Sequence, residues 1–351
     1  MKLLLKRISI PFRSLPRYGS RCFSERNLKD MDWRQAHEPI ESSFTPPSSW
    51  YTDKEFFEAV DKKQIFPNSW LLVGHTKDLQ KDGDYIAGNI LEHHPYLIVN
   101  SHGTLKAHYN VCRHHASQLV DEGKGSVTCA GNEAKRIRCP YHGWEYTLDG
   151  KLAKATHIKG CANFKPKDNS LIPILVDQLG PWVFVRLNAI GSSGTLRGDL
   201  PDTLLLEKLL HETQYEQLVH VETRLYHLRC NWKVFLDNYL DGGYHVPVAH
   251  PGLSQSLDMS SYTREGHTDL FVQTCASKSK SDTIPSPSPS TSSPTGRSSA
   301  SSSSGSSDRV TAGARDALYL FLYPNLCINR YGDWLDTNIV WPTGVDTCTG
   351  E

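Results

Sequence analysis

A chain of 351 residues with 38 basic and 38 acidic side chains carries no formal net charge, and 38% of it is hydrophobic. That balance supplies no electrostatic drive toward nucleic acid or an anionic membrane surface, and no apolar run approaches the roughly 20 residues of a membrane-spanning helix. The length admits two domains, and the nine cysteines, odd in number and scattered, do not read as a disulfide framework.

The chain starts MKLLLKRISIPFRSLPRYGSRCFS, with Lys2, Lys6, Arg7, Arg13, Arg17 and Arg21 and no acid before Glu25. A basic, serine-containing, acid-poor start is the composition of an organelle transit peptide. Residues 1–24 are therefore read as an address to the mitochondrial matrix or the chloroplast stroma. Arg21-Cys22-Phe23-Ser24 resembles a mitochondrial processing site. A basic tail without an addressing role is the plainer alternative.

In YTDKEFFEAVDKKQIF, a Thr52/Asp53 cap followed by Phe56, Phe57 and Val60 predicts a short helix within 48–65. Short apolar runs follow, separated by Gly, Asn or Asp: SWLLVGHT, DYIAGNIL, YLIVNS, LKAHYNVC, KRIRC, SLIPILVDQL and PWVFVRL. Strands at that density predict a small all-β domain over 66–187. A second domain spans 202–351, with a helical pattern near 202–218, a strand in VHVETRLYHLRC and a helix in NWKVFLDNYLDGGYH. Residues 277–308 are Ser/Pro/Gly low complexity and are expected to be a disordered insertion. The fold class is α+β: an all-β domain, then an antiparallel sheet with helices.

Two short stretches carry metal-ligand chemistry. VCRHHA gives Cys112-x-His114, and CPYHGWEY gives Cys139-x-x-His142. A zinc finger usually groups a cysteine pair and then a histidine pair. In this chain each loop mixes one thiol with one imidazole. A [2Fe–2S] cluster of the Rieske kind needs that set, two thiolates on one iron and two imidazoles on the other. Zinc on the same four residues stays open as the alternative. His115 is expected to be a loop residue. The interval 115–138 is long for such a pair of loops, so its excess, with Cys129, should loop out. Cys161, Cys230, Cys275 and Cys327 read as buried free thiols.

Residues 231–250, NWKVFLDNYLDGGYHVPVAH, end in His245-x4-His250, a spacing that by itself is more often structural than metal-binding. The whole string, with Asn231-Trp232-Lys233, Asp237-Asn238-Tyr239 and Asp241-Gly-Gly-Tyr before the histidines, resembles the mononuclear iron motif of the Rieske-type non-haem iron oxygenases. CPYHGWEY followed by LDGKL resembles the oxygenase branch of the Rieske domains; the respiratory branch carries an extra cysteine in each loop, where this chain has Ser117 and Tyr141.

The resemblance implies a [2Fe–2S] cluster on Cys112, His114, Cys139 and His142, and a mononuclear Fe(II) on His245 and His250. It also implies a homotrimer in which a carboxylate bridges the two centres. Asp241 is the candidate for that bridge; a cap or an orienting carboxylate is the alternative. The N-terminal helix would pack on the iron-binding domain. DNYLDGGYHVPVAH and YPNLCINRYGDWLDTN look most like the choline-hydroxylating branch. That implies conversion of choline to betaine aldehyde hydrate by O2, with electrons from reduced ferredoxin or a flavin reductase. Tyr331 and Trp334 are candidates to face a trimethylammonium group. The family's third iron ligand is an Asp beyond this last stretch. Asp333, Asp336, Asp346 and Glu351 do not match its position, so the expectation is a C-terminally incomplete chain, or an iron held by two histidines and water. A Rieske electron-transfer protein without oxygenase activity, an oxygenase of another quaternary ammonium or aromatic substrate, and a zinc-stabilised binding module remain as other readings.

Overall fold

The computed structural model describes residues 45–127, 134–278 and 316–351. The transit-peptide reading, Cys22, Cys129 and the insertion from 279 onward lie outside the described residues. The first two residues of the expected insertion are structured. Ser277 bridges Leu257, and the Lys278 amide donates to Ser256 O at 3.0 Å.

The chain enters through helical turns at Ser49–Thr52, Lys54–Phe56, Phe57–Ile65 and Phe66–Asn68. Asp53 starts the second of these as the sequence predicted, its carboxylate accepting from the amides of Glu55 (2.7 Å) and Phe56 (3.3 Å). Ten strands follow: β1 (Leu71–His75), β2 (Asp84–Ile90), β3 (His94–Ser101), β4 (Thr104–Tyr109), β5 (Gly123–Ser126), β6 (Ile137–Arg138), β7 (Glu145–Tyr146), β8 (Leu152–Lys154), β9 (Pro173–Leu179) and β10 (Trp182–Arg186). Seven of them form one antiparallel sheet in the order β1-β10-β9-β4-β3-β2-β5, and β6-β7-β8 form a small one. β3 is buried over Tyr96–Ser101, which is why its sequence reads as a continuous apolar run instead of alternating.

The second half comprises helix α1 (Thr203–Glu212), β11 (Tyr226–Leu228), α2 (Trp232–Leu240), α3 (Val246–Ala249), α4 (Pro251–Ser256), β12 (Thr263–Gly266), β13 (Leu270–Cys275), β14 (Ala317–Leu322), β15 (Leu326–Tyr331), β16 (Trp334–Pro342) and β17 (Cys348–Gly350). Its strands pair antiparallel in the order β11-β17-β16-β15-β14-β13-β12.

Four local expectations need correction. The strand expected over 219–230 shrinks to β11, because Val219, Val221 and Leu225 are exposed. The helix expected through 231–245 stops at Leu240, because Gly242 and Gly243 both take φ near +81°. The excess in 115–138 does not all loop out, since β5 pairs with Asp84–Ala87 at the sheet edge. Cys161 is exposed, whereas Cys275 and Cys327 are buried.

The helix α2 joins the two halves. Trp232 and Lys233 are 0% and 2% exposed. Asp61 accepts from Trp232 Nε1 (2.9 Å) and pairs with Lys233 Nζ, which also lies 5.3 Å from the Phe56 ring and 6.0 Å from the Tyr51 ring. Tyr51 Oη donates to Asp237 at 2.6 Å. Burial pushes the Asp61 carboxyl up and the Lys233 ammonium down, and each charge partly offsets the shift of the other. Elsewhere, Asp199 ties β10 to the turn before α1. Burial alone would raise its carboxyl, but bonds from Ser192, Ser193 and Trp70 bring it down to about 2, with Arg186 paired at 2.9 Å.

Replacing Lys233 by Met should cost about 3–5 kcal/mol, because Asp61 is left buried and unpaired. The double variant Asp61→Leu/Lys233→Met should cost less than that single change in urea unfolding. Asp199 has a depressed folded-state pKa, so its contribution is fully present above the ordinary carboxylate value and is lost as pH falls toward about 2. Asp199→Asn should be less stable by about 2 kcal/mol near pH 7. Denaturant titrations at descending pH should show that deficit closing.

Candidate metal centres

The two loops that carry the Cys/His pairs are built on one plan. The Cys112 amide donates to Ser117 O at 2.8 Å, and the Cys139 amide donates to Trp144 O at 2.8 Å, in each case five residues on. The residue four beyond each cysteine donates back to the cysteine carbonyl: Ala116 at 3.0 Å and Gly143 at 3.1 Å. Both of these take left-handed backbone, with φ of 56° and 72°. A glycine meets that requirement at Gly143 without strain, whereas Ala116 holds an uncommon conformation for a residue with a Cβ, as residues at functional loops often do.

The plan turns both thiols inward and both imidazoles outward. Cys112 and Cys139 are buried, His142 is half-buried and His114 is exposed. Burial pushes the Cys112 thiol up, while Tyr146, whose hydroxyl lies 3.3 Å from its sulfur, pulls it down. The same hydroxyl accepts from the Arg113 amide at 3.1 Å, fixing the start of the loop. The His114 ring stacks on Trp144 (4.6 Å, 5° between planes) and lies 4.9 Å from His142. Desolvation, with His115 and His142 nearby, lowers the His114 pKa, a shift toward the neutral imidazole.

His142 Nδ1 and Trp144 Nε1 are buried without a hydrogen-bond partner. An orphaned imidazole nitrogen beside two buried thiols fits a metal cluster well and a closed polar core poorly. His115 is the exposed loop residue the sequence predicts, and one ring nitrogen of it lies within 4.8 Å of one each from His114 and His142. A cavity of about 580 Å³, lined in part by Tyr141, His142, Lys154 and His157, opens beside the second loop.

The second candidate centre begins where α2 ends. Asn231 caps that helix, accepting from the Lys233 amide at 3.0 Å. After Leu240 the glycine pair turns the chain; a Cβ on Gly243 would stand 2.7 Å from the Tyr262 ring. Asp241 accepts from the Gly243 amide at 2.8 Å and bonds His245 Nδ1 through its other oxygen. The contact between Asp241 and His245 is therefore made by a turn and not along a continuous helix. With Nδ1 held, Nε2 is the nitrogen that His245 offers to a metal. His245 and His250 flank the short helix α3, and their rings lie 5.1 Å apart at 73°. Among the described residues, no carboxylate completes a three-ligand cluster with this pair.

A tyrosine cluster lies on the sheet beside this turn. Tyr262 feels the Asp241 charge, its ring stacks on Tyr319 at 6.2 Å, and Tyr319 meets Tyr331 edge-on at 5.4 Å. Arg264, Gln273, Tyr319, Asn329 and Asp336 occupy one register row across β12 to β16, and Tyr319 is common to the row and the cluster. Asn329 donates to Asp336 at 2.8 Å, and Gln273 donates to Tyr239 O at 3.0 Å. Of the two aromatics singled out in the sequence, Tyr331 belongs to this cluster, and Trp334 is 45% exposed.

Comparison with known proteins matches a family domain to each half of the chain. Residues 69–165 match the Rieske [2Fe-2S] domain, and residues 215–351 match the ring hydroxylating alpha subunit (catalytic domain). The chain is 35% identical over 319 residues to a chloroplastic choline monooxygenase of Arabidopsis thaliana, covering 88% of this chain and 67% of that protein. It is 32% identical to the chloroplastic choline monooxygenase of Beta vulgaris, covering 88% and 62%. It is 31% identical to the carnitine monooxygenase oxygenase subunit of Escherichia coli (strain K12), covering 66% and 59%. The chain thus spans about three-fifths to two-thirds of the length of these relatives. In fold it is similar to the quaternary ammonium Rieske monooxygenase CntA in complex with L-carnitine (TM-score 0.66, 24% identity, 88% of this chain and 74% of that one). It is similar also to naphthalene 1,2-dioxygenase from Rhodococcus sp. bound to indole (TM-score 0.69, 19% identity, 92% and 76%).

Cys112→Ser and Cys139→Ser should each purify without the visible absorbance of a [2Fe–2S] cluster, whereas His115→Ala should retain it. Absorbance with an iron and sulfide count on each variant checks both expectations.

Proposed function

This chain belongs to the Rieske non-haem iron oxygenases, and from that premise we propose that it is a monooxygenase of small quaternary ammonium compounds that hydroxylates choline to betaine aldehyde hydrate. The observation that carries the oxygenase reading is the presence of both donor sets in one chain. Cys112, His114, Cys139 and His142 would hold the [2Fe–2S] cluster, and His245 and His250 the mononuclear iron. When bound, the cluster supplies electrons one at a time and the iron activates O2.

The chain's own residues then have defined tasks. Asp241 holds the proton on His245 Nδ1 and so fixes the ring orientation. This reading also gives Asp241 the bridging role between centres in a homotrimer, with a reduced ferredoxin or flavin reductase as the electron donor. The electron-rich faces of Tyr262, Tyr319 and Tyr331 suit a trimethylammonium cation, which has no hydrogen to donate and is held by ring quadrupoles instead. The row through Tyr319, with Arg264 at one end and Asp336 at the other, adds hydrogen-bonding groups, and Asp336 adds charge of the sign such a cation needs. The plant relatives are chloroplastic enzymes, which favours a plastid address over a mitochondrial one.

One observation favours carnitine as a second reading. Arg264 lies over the Tyr244 ring at 4.7 Å and donates to its hydroxyl at 3.1 Å, at the mouth of the same turn. A guanidinium there suits a substrate carboxylate, which carnitine has and choline lacks.

Protein purified without air should contain about three iron per two acid-labile sulfide and consume O2 when choline is added with a reduced donor. His245→Ala should lower the iron content toward two without bleaching the cluster, and Asp241→Asn should reduce turnover by about 10–100-fold. O2 uptake with carnitine alone would select the second reading. A reducible cluster with no substrate-dependent O2 uptake would make the chain an electron-transfer protein.

A further inference from the structure

Cys230 and Cys348 are 118 residues apart in sequence, yet their sulfurs lie 3.9 Å apart. We propose that this pair is a redox modification site, closing to a reversible disulfide that fastens the sheet to the start of the helix leading to the iron motif. The proposal is independent of the substrate reading.

The backbones on both sides are already held together. Leu228 pairs with Cys348 and His227 with Thr349 in the β11–β17 ladder. Asn231, the next residue after Cys230, donates to Val345 O at 2.6 Å and to Tyr51 O at 3.1 Å. Closure therefore asks the sulfurs to approach by about 2 Å, to the ~2.05 Å of a disulfide, while the main chain stays anchored. Access is unequal: Cys230 is half-buried and Cys348 is buried. The other described thiols have different surroundings: Cys112 and Cys139 belong to the first candidate centre, Cys161 is exposed, Cys275 lies against Ser261 and the Asp258 carbonyl, and Cys327 is fully enclosed.

The two thiols together give up two protons and two electrons. A small disulfide or an oxidised dithiol protein accepts both. The Cys230 thiolate attacks it and forms a mixed disulfide with release of one thiol, and Cys348 then displaces the second thiol to close the internal bond. Burial and the neighbouring Cys230 push the Cys348 thiol up to about 12, which agrees with the more accessible Cys230 as the first to react. The product joins the strand β17 to the residue before the α2 cap, so the oxidised chain loses freedom in its unfolded state.

The test equilibrates the intact metal-loaded chain with mixtures of oxidised and reduced dithiothreitol, alkylates free thiols and maps peptides by mass. The cluster absorbance is followed as a control for Cys112 and Cys139. The expected result is a Cys230–Cys348 cross-linked peptide as the main oxidised species, fully reversed by reduction. Thermal unfolding should shift upward by several degrees on oxidation, and not in Cys230→Ser or Cys348→Ser. Both thiols alkylated throughout the series, or Cys230 found only as a mixed disulfide or cross-linked to another cysteine, would overturn the proposal. This mapping is done on the unmodified sequence, so it decides the matter even where a variant folds poorly.

Discussion

An ammonium and a carboxylate buried almost completely against each other, Lys233 and Asp61, hold this molecule in its working shape. Such a pair costs desolvation on both partners and is retained only where geometry and further hydrogen bonds compensate. Trp232 supplies one of those bonds, and the rings of Phe56, Tyr51 and Trp232 surround the lysine. One carboxylate oxygen of Asp61 stays without a partner, so the site is specified more by direction than by complete satisfaction. The pair fixes the rotation of α2 about its axis against the N-terminal helix. That rotation decides where the chain emerges at Asp241, and so where His245 and His250 stand.

Both metal centres rest on backbone that ordinary residues avoid. Ala116 and Gly143 close the two cluster loops in left-handed conformation, and Gly242 and Gly243 turn the chain between α2 and the histidine pair. In each case the turn frees the ligand side chain from a regular element; a carboxylate then directs His245, and stacking on Trp144 directs His114. Helices and sheets then supply the rigidity and short turns supply the aim. The orphaned Nδ1 of His142 and the occupied Nδ1 of His245 are two outcomes of that arrangement. One nitrogen is kept free by burial, and on the other ring Nε2 is kept free by giving its neighbour a carboxylate.

The parts of this structure legible in the sequence are those where chemistry is written in local spacing. Cys112-x-His114 and Cys139-x-x-His142 need only a few residues each and Asp53 announces its cap in the same way, whereas His245-x4-His250 takes its meaning from the whole string 231–250. The end of α2 falls short of its apolar periodicity, which continues to Tyr244, because the backbone freedom of two glycines outweighs that pattern. Gly123–Ser126 has no apolar face and so carries no strand signal of its own; the pairing of β5 with β2 is a property of the edge it meets. The tyrosine cluster and the contact between Cys230 and Cys348 depend on residues brought together from different elements, and no local pattern records them.

The row Arg264–Gln273–Tyr319–Asn329–Asp336 shows how the sheet does two jobs at once. Within a strand, alternate residues face opposite sides, so a row of this kind places one residue from each of five neighbouring strands on a common line. On the α2 side Tyr239 Oη sits within 3.1 Å of Leu320 O, Ile328 O and Asn329 Oδ1, which locks the helix to the row. Apolar residues at these positions would pack the same layers but would leave rotation and sliding along the sheet lightly resisted. Hydrogen bonds of fixed direction remove that freedom. The same bonds that secure α2 therefore hold the tyrosine faces and Asp336 in place, so the stability of the sheet and the shape of the proposed substrate site rest on one set of contacts.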